Sequence, residues 1–369
     1  MPDDAEAALD SNPEREPGAR EQRGEPGYID LDRLAGWMDE QGLPGESITD
    51  AERLAGGTQN ILLRFRRGGR SFVLRRPPPH LRKNSNETMR REARVLAAIA
   101  DTDVPHPRLI AGCPETDVIG AAFYLMEPVE GFNPTQGLPA YHRSDPAIRR
   151  SMGFSLVDSV AALGRVDYQA VGLEGFGRPD GFLERQVARW RSQLESYSEF
   201  EGYPGPEIPG VDEVARWLDD NRPVDFHPGI LHGDYHLANV MYLPDAPELA
   251  AIVDWELSTI GDPLLDLGWL LATWPAPGAP SAAAVGGGIQ PWDGFPQAEE
   301  LVARYAEGSP RDLSHVAWYE VLACYKLGII LEGTHARACA GKAPKATGDL
   351  LHATTVGLFQ RGLKRIGTS

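Results

Sequence analysis

Apolar residues recur every three or four positions in several long segments of the chain, a spacing that puts them on one face of an α-helix. On this basis, helices are predicted over residues 29–41, 86–100, 147–166, 181–197, 211–221, 315–333 and 347–364. The last of these helices would take Thr347 as its N-cap. Short apolar runs of strand length lie earlier, at residues 61–65, 71–75, 108–111 and 122–126. The pattern predicts a small β-rich unit followed by a larger helical one.

Two further apolar runs, at residues 240–243 and 249–253, flank the turn-forming segment 244–247. They predict a β-hairpin, because each run has the length of a strand and the segment between them contains two prolines and an aspartate. Asp234 and Asn239 then lie on the loop before the hairpin, and Asp254 follows its second strand. This arrangement places three oxygen-bearing side chains close together at one end of the hairpin.

Composition narrows the class of protein. The formal net charge of -17 argues against a nucleic-acid-binding surface, and the three cysteines lack metal-binding spacing and fit reduced thiols in the cytosol. No apolar run approaches the roughly 18 residues of a membrane helix, and the N-terminus lacks the features of a signal peptide. We therefore expect a cytoplasmic protein that binds neither nucleic acid nor membrane. Residues 1–26 are acidic and nearly free of large apolar groups, which predicts a disordered tail.

The spacing of Asp234, Asn239 and Asp254 has a chemical meaning. An aspartate followed five residues later by an asparagine, and then by an aspartate at the end of a second strand, is typical of phosphoryl transfer in kinase-like enzymes. In that chemistry the first aspartate accepts the proton of the attacking hydroxyl. The asparagine and the second aspartate hold Mg²⁺, which prefers oxygen ligands.

Three motifs in this region fall in a recognisable order: HGDYHLAN at residues 232–239, IVDWE at 252–256 and GDPLLDLG at 261–268. Together they closely resemble the aminoglycoside phosphotransferase family, a small-molecule branch of the kinase-like fold. The resemblance implies an α+β, two-lobed fold whose active site lies between the lobes. Residues 27–131 would form the N-terminal nucleotide-binding lobe with its hinge, and residues 132–369 the C-terminal catalytic and acceptor-binding lobe. ATP and Mg²⁺ would be the cofactors, and a small molecule with a hydroxyl group the acceptor.

The resemblance also assigns a nucleotide site. Its expected members are Gly57, Thr58 and Asn60 on a phosphate-covering loop, Arg75 as the strand cation, Glu92 as its helix partner, and Glu127 and Val129 at the hinge. Alternation along the strand predicts that Arg75 and Arg76 point to opposite faces, so that only one enters the cleft. Structural alternatives stay open for these residues: a glycine hairpin turn, a solvated strand charge at Arg75 and a surface ion-pair partner at Glu92.

His232, Asp262 and Asp266 are expected to support the catalytic loop, with His232 bonded to loop backbone and the two aspartates bracing the loop and capping the next helix. A metal-dependent hydrolase that uses His232, Asp234, His236 and Asp254 as ligands is an alternative. It would leave Asn239 without a role. A nucleotide-binding pseudokinase is a second alternative, because Arg75 stands where kinases usually have lysine.

Charge bears on the acceptor. Residues 312–369 hold seven basic and four acidic residues, in a chain whose total is strongly negative. If part of this excess faces the cleft, through residues such as Lys326 and Arg337, it favours an anionic acceptor over a polycationic aminoglycoside. Residues 72–78 and 327–337 resemble the branch of the family associated with acyl-CoA dehydrogenases, which implies a hydroxyacyl-CoA acceptor. The alternative is that these bases lie on solvated helix faces.

Overall fold

The fold was analysed in a computed structural model that describes residues 29–54, 60–275 and 288–367. The predicted tail, residues 1–26, and the predicted loop residues Gly57 and Thr58 lie outside the described residues. The described part of the chain contains no helix that is both long and apolar enough to cross a membrane.

The N-terminal part of the chain forms a five-stranded sheet in the order β1-β2-β3-β5-β4, with antiparallel neighbours throughout. The strands are β1 Thr49–Arg53, β2 Ile61–Arg67, β3 Arg70–Arg76, β4 Leu109–Cys113 and β5 Phe123–Met126. Gly68 and Gly69 turn β2 into β3 with φ of 56° and 77°, the left-handed backbone that a tight hairpin of this kind needs. Strand β1 was not predicted, because its sequence TDAER is polar and its side chains are half-buried at most.

Helices cover both faces of this sheet. Helix α1, Leu31–Glu40, shares an apolar cluster with Phe123 and Leu125 of β5. Tyr124, which points the other way from the same strand, belongs to the cluster that includes helix α2, Ser85–Ala98. Because side chains alternate along a strand, β5 contributes residues to the apolar clusters on both faces of the sheet. The core on the α2 side continues into the C-terminal helices.

A short connection joins the sheet to the rest of the chain after β5. The backbone N–H and C=O of Phe132 pair with those of Tyr242 at 3.0 and 2.9 Å. Just before it, a Cβ on Gly131 would lie 2.8 Å from the carbonyl oxygen of Tyr242. Only glycine fits this close approach.

The remaining helices make up most of the C-terminal part. They are α3 Ala140–Ser144, α4 Pro146–Arg165, α5 Gln186–Ser196, α6 Val211–Asp220, α7 Leu264–Thr273, α8 Ala298–Gly308, α9 Val316–Cys339 and α10 Lys345–Ile366. Helix α9 continues two turns beyond its predicted end at residue 333. The predicted N-cap of the last helix is wrong: Pro344 takes that position, and Thr347 lies inside the first turn. Helix α7 was missed as an explicit prediction because its sequence is apolar on almost every side.

Two small antiparallel pairs lie between these helices. Strand β6, Gly229–Leu231, pairs with β9, Thr259–Gly261. Strand β7, Val240–Tyr242, pairs with β8, Leu249–Ile252, which confirms the predicted hairpin. The two pairs hold the ends of the segments that carry Asp234, Asn239 and Asp254.

Candidate active site

Asp234 and Asn239 are in direct contact on the loop between β6 and β7. The amide Nδ2 of Asn239 donates to Oδ2 of Asp234 at 2.9 Å and to its backbone carbonyl at 3.0 Å. On the other side, Nε2 of His236 lies 3.2 Å from Oδ1 of Asp234, while Nδ1 of His236 accepts the N–H of Ala238 at 3.1 Å. Burial alone would raise the pKa of Asp234, but the contact with His236 lowers it well below its usual value. The Asp234 carboxylate is therefore ionised.

The backbone of this loop is held from two sides. His232 uses both ring nitrogens: Nε2 donates to the carbonyl of Val253 at 2.9 Å, and Nδ1 accepts the N–H of Asp234 at 3.3 Å. Asp266, on the first turn of α7, accepts the N–H groups of His232 and Gly233 at 2.7 and 2.9 Å. The structure thus brings His232 and Asp266 to the loop as the sequence predicted.

Asp262 lies farther from the loop. One carboxylate oxygen accepts the N–H of Leu264 at 3.1 Å, at the start of α7, and the other accepts the hydroxyl of Tyr319 on α9. Asp262 therefore caps α7, and its described hydrogen bonds join α7 to α9 rather than to the loop. This differs from the expectation that both aspartates brace the catalytic loop.

Asp254 follows β8 in an unusual backbone conformation. Its φ of 66° is left-handed, which is costly for a residue other than glycine and is often found at functional sites. The preceding N–H, that of Val253, donates to the carbonyl of Asn239 at 2.9 Å, so the end of β8 is fixed next to the asparagine. The Asp254 side chain remains 41% exposed, which leaves it open to the cleft.

Arg75 connects the N-terminal sheet to the segment that follows β8. From β3, its Nε lies 2.9 Å from Oε2 of Glu92 on α2, and its Nη2 lies 2.6 Å from Oδ1 of Asp254. Burial alone would lower the pKa of Arg75, but the carboxylates of Glu92 and Asp254 raise it well above its usual value. Arg76 points the opposite way and donates to the carbonyl of Ile119 at 3.1 Å. The alternation predicted for these two arginines is therefore observed.

Two residues of this site were not predicted. Tyr124 lies opposite Arg75 in the β3–β5 register, and its hydroxyl donates to Oε2 of Glu92 at 2.8 Å. Glu256, two residues after Asp254, accepts from Nδ2 of Asn60 at 3.4 Å. Burial and the charge of Asp254 raise the pKa of Glu256 to about 8. The signal for Glu256 was already present in the Asp-Trp-Glu run, whereas Tyr124 could be found only from the strand register.

The predicted hinge residues are placed beside the end of β5. The N–H of Glu127 donates to the carbonyl of Arg108 at 2.9 Å, and its side chain is exposed, 3.8 Å from Nη2 of Arg70. Val129 is half-buried. These positions lie between the sheet and the bridge formed by Phe132 and Tyr242.

Lys326 is buried under the loop that carries Asp234. Its Nζ donates to the carbonyl of Gly233 at 3.3 Å and lies 4.7 and 5.4 Å from the ring centroids of Trp269 and Trp190. Burial lowers the pKa of Lys326 to about 8, against the opposing effect of Asp234. Lys326 is therefore a neighbour of the predicted catalytic aspartate from behind the loop, and it is 5% exposed.

The other C-terminal bases lie elsewhere. Arg337 donates to Oγ1 of Thr334 at 2.8 Å, one turn before it on α9. Arg361 and Arg365 both pair with Glu320, at 3.0 and 3.1 Å, and so join α10 to α9. Lys345 pairs with Asp349 at 2.8 Å on the surface of α10. Much of the basic excess is thus used in ion pairs between and along helices, which weakens the argument that it faces the cleft.

The arrangement does not suit the hydrolase alternative. Both ring nitrogens of His232 are engaged by backbone groups, so neither is free to bind a metal. In the parts of the chain that the structure describes, the group of histidine and carboxylate side chains with converging ligand atoms lies between the second half of α9 and the first half of α10 instead. The loop geometry fits phosphoryl transfer better, because Asp234 and Asn239 are in contact on one loop, and the carbonyl of Asn239 holds the strand end just before Asp254.

Known proteins with similar sequences and structures point the same way. The profile of the phosphotransferase enzyme family (APH) matches residues 50–301. Acyl-CoA dehydrogenase family member 11 of Rattus norvegicus is 29% identical over 345 residues, which cover 91% of this chain and 43% of that protein. The chain thus spans less than half the length of this curated relative.

Solved structures give the same fold. A crystal structure from Ralstonia eutropha, of a protein provisionally named an aminoglycoside phosphotransferase, is 30% identical with a TM-score of 0.74 and covers 91% of this chain and 99% of its own. The GDP and kanamycin complex of an aminoglycoside 2″-phosphotransferase has a TM-score of 0.57 at 14% identity, covers 91% of this chain and 99% of its own, and supports the fold alone. The kinase-like, two-lobed α+β fold is therefore confirmed, and the chain belongs to the phosphotransferase enzyme family.

Proposed function

We propose that the chain is an ATP- and Mg²⁺-dependent enzyme that moves the γ-phosphoryl group of the nucleotide to a hydroxyl group of a small molecule. The observation that carries the proposal is the position of Asp234, Asn239 and Asp254 on adjoining segments, with the ion pair of Arg75 and Glu92 against Asp254. Residues 27–131 would form the nucleotide-binding lobe and residues 132–369 the catalytic and acceptor-binding lobe.

Asp234 is the proposed catalytic residue. Hydrogen bonds from Asn239 and His236 fix the direction of its carboxylate and keep it ionised. A carboxylate with a depressed pKa is a weak base, so its main contribution is to orient the acceptor hydroxyl. Phosphoryl transfer of this kind has a loose transition state. The proton can therefore pass to Asp234 late, when the new bond to phosphorus is largely formed.

The donor set fits a magnesium ion. Asn239 and Asp254 offer the hard oxygen ligands that Mg²⁺ prefers, and the Asp254 side chain is open to the cleft. Burial, and then the charge of Asp254, raise the pKa of Glu256, and a bound cation would offset the negative charge of these two carboxylates. When bound, the ion would neutralise charge on the phosphates of the nucleotide.

Arg75 would bind the phosphates that are not transferred, with Glu92 fixing its direction. Gly57, Thr58 and Asn60 would cover the phosphates from above, and backbone groups near Glu127 and Val129 would hold the base. The GDP in the 2″-phosphotransferase complex supports a nucleotide site in a protein of this fold. That ATP is the donor for this chain is part of our proposal.

Two acceptor classes remain in view. The relative from Rattus norvegicus is named for acyl-CoA dehydrogenation and contains a region similar to this chain, which supports a hydroxyacyl-CoA thioester. The name given to the Ralstonia eutropha protein supports an aminoglycoside instead. We favour the thioester, because the aminoglycoside name of the Ralstonia eutropha protein is a provisional one. Lys326 is buried behind the loop of Asp234 and does not carry this preference. Arg337 would have to leave Thr334 to contribute to acceptor binding.

The proposal is tested by measuring nucleotide consumption and product phosphorylation with purified protein, Mg²⁺ and ATP. The acceptor panel contains hydroxyacyl-CoA thioesters, aminoglycosides and simple amino alcohols, with Asp234→Ala as the inactive control. Turnover with a thioester alone would support the preferred acceptor, and turnover with an aminoglycoside would overturn that part. Turnover of any acceptor that is undiminished in Asp234→Ala would contradict the catalytic assignment.

A pseudokinase is the second candidate function, and one contact favours it. Arg75 is held by both Glu92 and Asp254, so it must give up or share the second contact before it can bind phosphate. If nucleotide binds with no turnover of any acceptor, and Arg75→Lys restores turnover, this arginine is the cause. No turnover with either residue would favour a binding role.

A further inference from the structure

A cluster of metal-ligand side chains lies outside the active site, between α9 and α10. Glu332, His335 and Cys339 are spaced three and four residues apart on α9, which puts them on one face of the helix. His352 reaches the same place from α10. One ligand atom from each of Glu332, His335 and His352 lies within 4.8 Å of the other two.

Part of this cluster is already ordered by hydrogen bonds. The carboxylate of Glu332 is fully buried, and its Oε2 lies 2.8 Å from Nδ1 of His352. Its other oxygen accepts the hydroxyl of Tyr203 at 2.8 Å. Outer partners of this kind fix the direction of a ligating carboxylate in metalloproteins.

The other part has an unsatisfied group. Nδ1 of His335 is buried and has no hydrogen-bond partner among the described residues, which is costly for a polar atom. Nε2, the other nitrogen of the same ring, lies 3.7 Å from Sγ of Cys339. One imidazole gives one nitrogen to a metal ion, and the nitrogen of His335 that lacks a partner among the described residues is Nδ1. Cys339 lies outside the group of converging ligand atoms.

We propose that Glu332, His335 and His352 form a Zn²⁺ site, with water as the fourth ligand. Two imidazoles and a carboxylate favour a borderline-soft transition ion over Mg²⁺ or Ca²⁺, which take oxygen ligands. The ion enters between Glu332 and His352, whose ligand atoms are in direct contact without it. Their separation of 2.8 Å then widens by about 0.6 Å to accommodate it.

The site joins α9 to α10 at the end of α9 remote from its start. Lys326, which contacts the loop of Asp234, lies on the same helix about two and a half turns before His335. A metal ion here would fix the two helices against each other without touching the reacting groups. Its expected effect is therefore on thermal stability rather than on the chemical step.

The test is a titration of chelator-treated, full-length protein with Zn²⁺ in competition with a chromophoric chelator, together with thermal unfolding. We expect about one tight site per chain and a rise in Tm on binding. His335→Ala and His352→Ala should abolish the site, and Tyr203→Phe should weaken it by roughly 10- to 100-fold. Glu332 is avoided as a first variant because it is fully buried, and its loss could prevent folding.

Cys339 gives a matched control, because it is exposed on the same helix and lies outside the group of converging ligand atoms. Cys339→Ser should bind Zn²⁺ like the wild type. His80→Ala, at an exposed loop position, and Asp254→Asn, in the active site, should both bind Zn²⁺ like the wild type. Absence of a tight site, or a site that survives His335→Ala and His352→Ala, would overturn the proposal.

Discussion

Nη2 of Arg75 lies 2.6 Å from Oδ1 of Asp254, although the two residues are 179 positions apart in the chain. The contact joins the third strand of the N-terminal sheet to the segment that carries the proposed metal ligand. It also compensates the burial of the guanidinium, which a pair with Glu92 alone would do less well. Nucleotide and metal would have to compete with or share this contact. The Arg75–Asp254 pair is therefore the arrangement from which binding would start.

Substitution of Arg75 by lysine should weaken nucleotide binding. Lysine has a single ammonium group and cannot reach Glu92 and Asp254 together as the guanidinium does. We expect a higher KM for the nucleotide and a smaller change in kcat, measured with saturating acceptor. Arg76→Lys is a matched control, since Arg76 points to the opposite face of the same strand. An equal loss in both variants would mean that Arg75 acts only through folding.

Substitution of Asp234 by alanine should remove transfer and spare nucleotide binding. General-base and orienting groups contribute roughly 10²- to 10⁴-fold, so kcat should fall by at least that range. The nucleotide Kd, measured by calorimetry, should change little. Asp245→Ala, in the exposed turn between β7 and β8, serves as the control. Retained turnover in Asp234→Ala would refute the role.

Substitution of Asp254 by alanine should weaken nucleotide binding only when Mg²⁺ is present. The proposed ligand is lost, while the groups that bind the base are untouched. Binding is measured with and without Mg²⁺ in the wild type, Asp254→Ala and Asn239→Ala. If Mg²⁺ improves nucleotide affinity equally in all three proteins, neither side chain holds the ion.

Removal of the Tyr124 hydroxyl should destabilise the protein, because it donates to the buried carboxylate of Glu92. Hydrogen bonds to charged groups contribute about 1.5–3 kcal/mol, so Tyr124→Phe should lower the free energy of unfolding by an amount in that range. Urea unfolding gives the value. Tyr141→Phe, at a residue that is 43% exposed, should have little effect. Unchanged stability in Tyr124→Phe would show that the ion pair with Arg75 is enough to stabilise the buried carboxylate of Glu92.

Lys326 should make stability depend on pH in the alkaline range. Its pKa falls from 10.5 to about 8 on folding, so between these values the unfolded chain binds more protons than the native protein. The free energy of unfolding should therefore rise with pH across that window, by up to about 3 kcal/mol.

This pH dependence is measured by urea unfolding at about pH 7 and about pH 10. Lys326→Met should lose the rise from this residue, because methionine fills the site without a charge. Lys342→Met, at an exposed position, should keep the rise seen in the wild type. An identical pH dependence in Lys326→Met would show that the buried ammonium does not titrate in this range.

Local features of the site were predictable because short-range chemistry fixes them. Asp234 and Asn239 lie five residues apart on one loop, and the hairpin of β7 and β8 follows from two apolar runs around a turn. Helix ends were less predictable, as Thr347 illustrates. Pro344 takes the N-cap position of the last helix instead, with an extended backbone just before the first helical turn.

The sequence could not show which partner each charged side chain contacts. Counting bases from residue 312 onward suggested a basic cleft, yet Arg361 and Arg365 share Glu320, and Arg337 bonds Thr334. Lys326 lies under the loop of Asp234 and donates to the carbonyl of Gly233, which is 93 residues away in the chain. A count of charges carries no information about which helix face each side chain occupies.

The sequence by itself determined the family and the kinase-like α+β fold, because these depend on motifs and periodicities within short stretches. The residues of the proposed catalytic loop were predicted from the same motifs. The tertiary structure decided the partners of Arg75, the position of Tyr124 beside Glu92 and the meeting of Glu332 with His352. Each of these contacts joins segments that are distant in the chain. Their formation depends on strand register and helix packing, which are set by the whole core and not by local sequence.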